Sequence, residues 1–66
     1  MKVFINHQPI EVETGANLAD VLASQSLDGP GIAVAIGSKV IRKAERPAIV
    51  LEDGAEITVI KAVCGG

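Results

Sequence analysis

The sequence predicts an α+β fold in which a mixed sheet packs on one main helix and a short tail follows. Three observations predict it. Apolar residues alternate with polar ones in two runs at the start of the chain. One stretch alone has helical spacing, at Leu18, Val21 and Leu22. The last apolar run alternates nearly to its end, where Gly65 and Gly66 stop it because they have no side chains to pack.

Met1, Val3 and Ile5 alternate with Lys2, Phe4 and Asn6, which predicts a first strand with Phe4 on the face opposite Val3 and Ile5. Asn6-His7-Gln8-Pro9 reads as a turn and Ile10-Glu11-Val12-Glu13 as the return strand of an antiparallel hairpin. His7 reads as an exposed turn residue, since no acid or nucleophile accompanies it. Thr14 and Asn17 are both candidate helix caps; Asn17 is favoured, with Asp20 in the first turn. The helix runs about two to three turns and stops before the breaker cluster Asp28-Gly29-Pro30-Gly31.

Ile32-Ala33-Val34-Ala35-Ile36 is the most strand-like run, with branched residues on one face and only Ala33 and Ala35 on the other. Gly37-Ser38 reads as a two-residue hairpin turn, and Val40-Ile41 as a short strand. The stretch from Arg42 to Pro47 is polar and basic, and Pro47 forbids a regular central strand there. Arg42, Lys43 and Arg46 read as a solvated cluster, with docking against acidic groups as the alternative. Either Val50 or Leu51 enters the core. Glu52-Asp53-Gly54-Ala55 is a turn, and Glu56 opens the final strand. The order is β-β-α-β-β-β. The first and last strands are both apolar, which places them side by side and parallel at the sheet centre. That arrangement is the β-grasp, or ubiquitin-like, fold, with residues 1–62 as the domain and 63–66 as a flexible Gly-Gly tail.

Composition narrows the function. A chain of 66 residues makes one domain that buries only about 60% of its unfolded surface. Its one Cys rules out an internal disulfide, so stability rests on the apolar 48%. Its single His and Cys have no metal-ligand spacing. A net charge of −2 and one aromatic residue, Phe4, argue against a nucleic-acid binder. No apolar run approaches membrane-spanning length, and the N-terminus has no signal-peptide pattern. The expected location is cytoplasmic.

The tail carries the functional expectation. A strand running nearly to the end makes a rigid body that presents a thin tip. The α-carboxylate of Gly66 stands at that tip with nothing bulky beside it, able to thread a narrow channel in another protein.

The opening Met1-Lys2-Val3-Phe4-Ile5-Asn6, the helix with Leu18, Asp20, Val21 and Leu22, and the run Gly31-Ile32-Ala33-Val34-Ala35-Ile36 carry a resemblance. So do Val40-Ile41, Leu51-Glu52-Asp53-Gly54, Ile57 and the final Gly65-Gly66. Together they resemble the ThiS family, the sulfur carriers of bacterial thiamine biosynthesis, over nearly the whole chain. The diglycine ending is the specific part. The sequence departs from the family at Gly37, where Asn is frequent, at Arg42, where Pro is common, and at Arg46, where Trp is frequent.

The resemblance implies a reaction sequence. A ThiF-like adenylyltransferase uses ATP and magnesium to adenylate the Gly66 carboxylate. A sulfur donor, such as a cysteine desulfurase persulfide, displaces AMP and leaves a thiocarboxylate. A ThiG-like thiazole synthase then accepts the sulfur. Elementary chemistry fits: an ionised carboxylate is a poor electrophile, and an AMP leaving group divides one hard step into two easier ones. With no GxxxxGK[ST] loop, the chain reads as a protein substrate that binds no cofactor itself, and not as an enzyme.

Gly65 supplies clearance beside Gly66. Ile60, Val63, Cys64 and Phe4 are the candidate partner-binding residues, with Ala33 and Ala35 extending an apolar patch. Cys64 reads as an ordinary tail residue, because nothing near it in sequence activates a thiol. The alternative functions are a MoaD-like carrier for molybdopterin synthesis, a ubiquitin-like protein modifier, and a plain β-grasp interaction module. The shorter chain and Ala33-Val34-Ala35-Ile36 favour the thiamine role.

Overall fold

The computed structural model describes residues 1–61. Val63, Cys64, Gly65 and Gly66, and with them the tail assignment, lie outside the described residues.

Strand β1 (Lys2–Ile5) and strand β2 (Gln8–Glu11) form the expected hairpin, with Ile5 opposite Gln8 and Lys2 opposite Glu11. The turn is only Asn6 and His7, both left-handed at φ 50 and 70°, as a type I′ turn requires. Gln8 and Pro9 therefore belong to the strand, where the sequence had placed them in the turn. Pro9 is tolerated because β2 is an edge strand. It faces Phe4, one step from the closing pair of a two-residue hairpin, where main-chain N–H groups point away from the partner strand. On β1 the corresponding outward N–H, that of Phe4, donates to Ala55 O at 2.8 Å.

Helix α1 (Leu18–Ser24) starts where Asn17 Oδ1 accepts from the Asp20 N–H at 2.8 Å, which confirms Asn17 as the cap. It buries Leu18, Val21 and Leu22. Its seven residues make about two turns, and it stops four residues before Asp28. Leu27 N–H donates to Leu22 O at 2.7 Å and Ser26 N–H to Ala23 O at 3.1 Å. These two bonds make a Schellman motif with Ser26, at φ 59°, in the left-handed position. The breaker cluster thus follows a helix that has already closed itself.

Strands β3 (Ile32–Ile36) and β4 (Lys39–Ile41) form the second hairpin around Gly37-Ser38. Gly37 alone has positive φ there, at 60°, the pattern of a type II′ turn. Strand β5 (Glu56–Lys61) lies between β1 and β3, parallel to the first and antiparallel to the second. The order β2-β1-β5-β3-β4 places the first and last strands together at the centre, as the apolar character of both implied. This is the β-grasp arrangement.

One face of the sheet and α1 enclose the core: Val3, Ile5, Val34, Ile41, Ile57 and Val59 from the strands, the three helix residues, and Leu51. Leu51 enters the core, whereas Val50 is 64% exposed.

The stretch after β4, where Pro47 rules out a regular central strand, holds a 3₁₀ helix, Lys43–Ala48. Glu45 starts it by accepting the Arg42 N–H on Oε1 at 3.1 Å. The segment packs against α1 and buries Arg46. Arg46 is therefore not part of a solvated cluster: it is 6% exposed. It lines a cleft with Ala19, Leu22 and Ala23 of α1, apolar surroundings that suit the stem of a long basic side chain. Arg42 and Lys43 are exposed, as expected.

Candidate functional site

Alternation along a strand sends every second side chain away from the core, and here it builds an apolar stripe on the open face of the sheet. Ile60 of β5 lies directly opposite Ala33 of β3. Ala35 lies between Thr58 of β5 and Val40 of β4. Ile60 and Val40 are 61% and 69% exposed, with two small alanines between them. The structure thus joins Ile60 to Ala33 and Ala35, and it adds Val40, which sequence reading had assigned only to a short strand. The signal for Val40 lay in the turn: a two-residue loop at Gly37-Ser38 forces Val40 to face Ala35.

Phe4 is not brought into this stripe. It is half-buried, with Glu56 on one side and Pro9 on the other. Glu56 and Ile60 are four positions apart on β5, about 13 Å along a strand. Phe4 and Ile60 therefore mark opposite ends of the open face. His7 is an exposed turn residue.

The root of the C-terminal segment is set by two side chains that continue the sheet where its strands stop. Strand β1 turns away after Ile5, yet β5 runs on to Lys61. The Asn6 side chain fills the gap. Its Oδ1 accepts the Val59 N–H at 2.8 Å, and its Nδ2 donates to Val59 O at 3.1 Å. On the far side, β4 ends at Ile41 while β3 starts further out at Ile32. There Arg46 Nη2 donates to Ile32 O at 2.9 Å. Ile32 is in turn the partner of Lys61. The end of β5 is thus braced from both sides at the point where the chain leaves toward Gly66.

Among the described residues, no group of three or more His, Cys, Asp or Glu is placed to hold a metal ion. Among the same residues, no helix is long and apolar enough to cross a membrane.

The model of the ThiS family matches residues 3–66, so the match takes in both the sheet and the diglycine end. The chain belongs to the ThiS family. As such it is a small sulfur carrier of thiamine biosynthesis and not a catalyst. Two solved structures of a thiamine biosynthesis protein from Geobacter metallireducens share the fold. The crystal structure, of the protein named ThiS, aligns at a TM-score of 0.83 and 19% identity, covering 100% of both chains. The solution structure aligns at 0.77 and 18% identity, over 100% of this chain and 88% of the other. No curated protein matches the sequence.

Proposed function

We propose that the Gly66 carboxylate is the group this carrier presents, and that sulfur travels on it as a thiocarboxylate. The observation that carries the proposal is the placement of β5: a central strand, paired on both sides, leads straight into the last five residues. These span up to about 17 Å when extended, enough to pass a narrow channel while the body rests against its mouth. Gly65 adds clearance beside the reacting carboxyl. Ile60, with Ala33, Ala35 and Val40, offers the adjoining apolar surface on which a partner rests. Val63 and Cys64 would line the channel, and Phe4 would touch a partner only at the far end of the face.

The chemistry runs in two stages. A carboxylate oxygen of Gly66 attacks the α-phosphorus of ATP, bound with magnesium on a ThiF-like adenylyltransferase, and pyrophosphate leaves. The terminal sulfur of a persulfide, such as one from a cysteine desulfurase, then attacks the acyl carbon and AMP leaves. A thiol cleaves the resulting S–S bond, becoming a disulfide and releasing the thiocarboxylate. A ThiG-like thiazole synthase is the acceptor. The chain contributes the acyl group, its reach and the docking surface, while nucleotide and metal are held by the enzyme.

The test is ATP–pyrophosphate exchange by a ThiF-like enzyme. Exchange that depends on this chain and disappears on deleting Gly65 and Gly66 supports the proposal. No exchange, with an enzyme active on another carrier, overturns it.

A further inference from the structure

Asn6 stands 53 residues from Val59 in sequence, yet its carboxamide meets both main-chain groups of that residue. A carboxamide has the donor and acceptor of a peptide unit, so it serves as the next rung of β1 after the main chain has turned away. The turn itself aims it: Asn6 is left-handed at φ 50°, a conformation that Asn tolerates better than most residues. The main-chain N–H of the same residue donates to Ile57 O at 2.9 Å. One residue therefore closes the hairpin and grips β5 at two successive inward positions.

We propose that Asn6 is a positioning residue for the C-terminal carboxyl, fixing where and in which direction the chain leaves the sheet; this rests on the carrier function proposed above. Without the carboxamide, the β1 side of β5 is unpaired beyond Ile57. The end of the strand is then held by β3 alone, and that pairing finishes at Ile32 and Lys61. With Ile60 and Lys61 still paired to β3, what is lost is direction: the last rungs of β5 twist about one ladder where two sides had held them. Lost direction at the root slows the reaction, because reaction depends steeply on the placement of the attacking atom. Docking itself is spared, since Ile60 remains paired with Ala33. The signature is a fall in kcat with little change in KM.

The experiment compares wild type with Asn6→Gly, Asn6→Asp and Ile41→Val in pyrophosphate exchange by a ThiF-like enzyme. Glycine keeps the left-handed turn without strain and removes the carboxamide. Aspartate keeps the acceptor for Val59 N–H and loses the donor. Ile41→Val is a buried control that lowers stability away from the exit. The expected result is a kcat about fivefold lower for Asn6→Gly at unchanged KM, an intermediate value for Asn6→Asp, and wild-type kcat for Ile41→Val. Hydrogen exchange at the Val59 amide should quicken in Asn6→Gly. Wild-type kcat in Asn6→Gly, or unchanged exchange at Val59, overturns this inference and leaves the carrier function standing. No turnover of wild type, with the enzyme active on another carrier, overturns both.

Discussion

Ile60 is the residue whose replacement most sharply separates docking from folding. Its side chain is 61% exposed in the free protein, and its main chain is locked into the pairing with Ala33. Burying a whole Ile side chain is worth about 1.5–3 kcal/mol. The exposed fraction leaves about 1–2 kcal/mol to be gained on contact with a partner. Ile60→Ala should therefore weaken the complex with the adenylating enzyme about five- to thirtyfold. Ile60→Asp should weaken it by more than about a hundredfold, because a carboxylate must also lose its water. The fold should barely notice the alanine, since surface positions of this kind change stability by about 0.5 kcal/mol. Calorimetric titration gives the affinity, and a thermal melt of the same sample gives the stability. Affinity within twofold of wild type for both variants would refute the placement of the docking surface. A melt that falls in step with affinity would refute the claim that Ile60 is spare to the fold.

Arg46 gives a second test. Its Nε is buried with no partner among the described residues, which costs about 1–3 kcal/mol, while its bond to Ile32 O returns a similar amount. Arg46→Met, which keeps the stem, should stay within about 1 kcal/mol of wild type, and Arg46→Ala should lose about 2–4 kcal/mol; equal losses in urea unfolding would mean that the guanidinium matters more than the stem. Ser26→Gly relieves a left-handed serine in the Schellman motif and should stabilise by about 0.5–1 kcal/mol, raising the melting temperature by about 4 °C; a lower melting temperature would contradict the strain. Gly65→Val should leave the melt unchanged and block pyrophosphate exchange, because a branched side chain stiffens and widens the tip. Cys64→Ala should still acquire sulfur, and failure to do so would give the thiol a role in transfer.

Much of the fold was legible because its signals were local. Met1, Val3 and Ile5 carried the period of a strand, Leu18, Val21 and Leu22 that of a helix, and Asn17 with Asp20 the start of that helix. The apolar character of both end strands even placed them together. Other features were hidden because they depend on partners distant in sequence. Asn6 looked like a turn residue, and nothing near it announced Val59. Arg46 looked solvated because it sits in a charged run, yet the 3₁₀ turn set up by Arg42 and Glu45 carries it under α1. Pro9 looked like a turn residue because its place on an edge strand shows only when the sheet order is known. Ser26 ends the helix in a conformation usually left to glycine, so the residue that closes it carried no signal in the sequence. On the open face, Ile60, Ala33 and Ala35 could be read from alternation, but Val40 needed the register of the second hairpin. Phe4 was apolar and outward, as read, and the register sets it at the other end of the face.

The central claim is that Gly66 carries the sulfur, and intact mass tests it most directly. The purified chain would be incubated with ATP, magnesium, a sulfide source and a ThiF-like enzyme. The account predicts a mass gain matching one oxygen replaced by sulfur, mapped to Gly66 and abolished when Gly66 is deleted. An unchanged mass with no AMP adduct, from an enzyme that loads another carrier in the same hands, would contradict it.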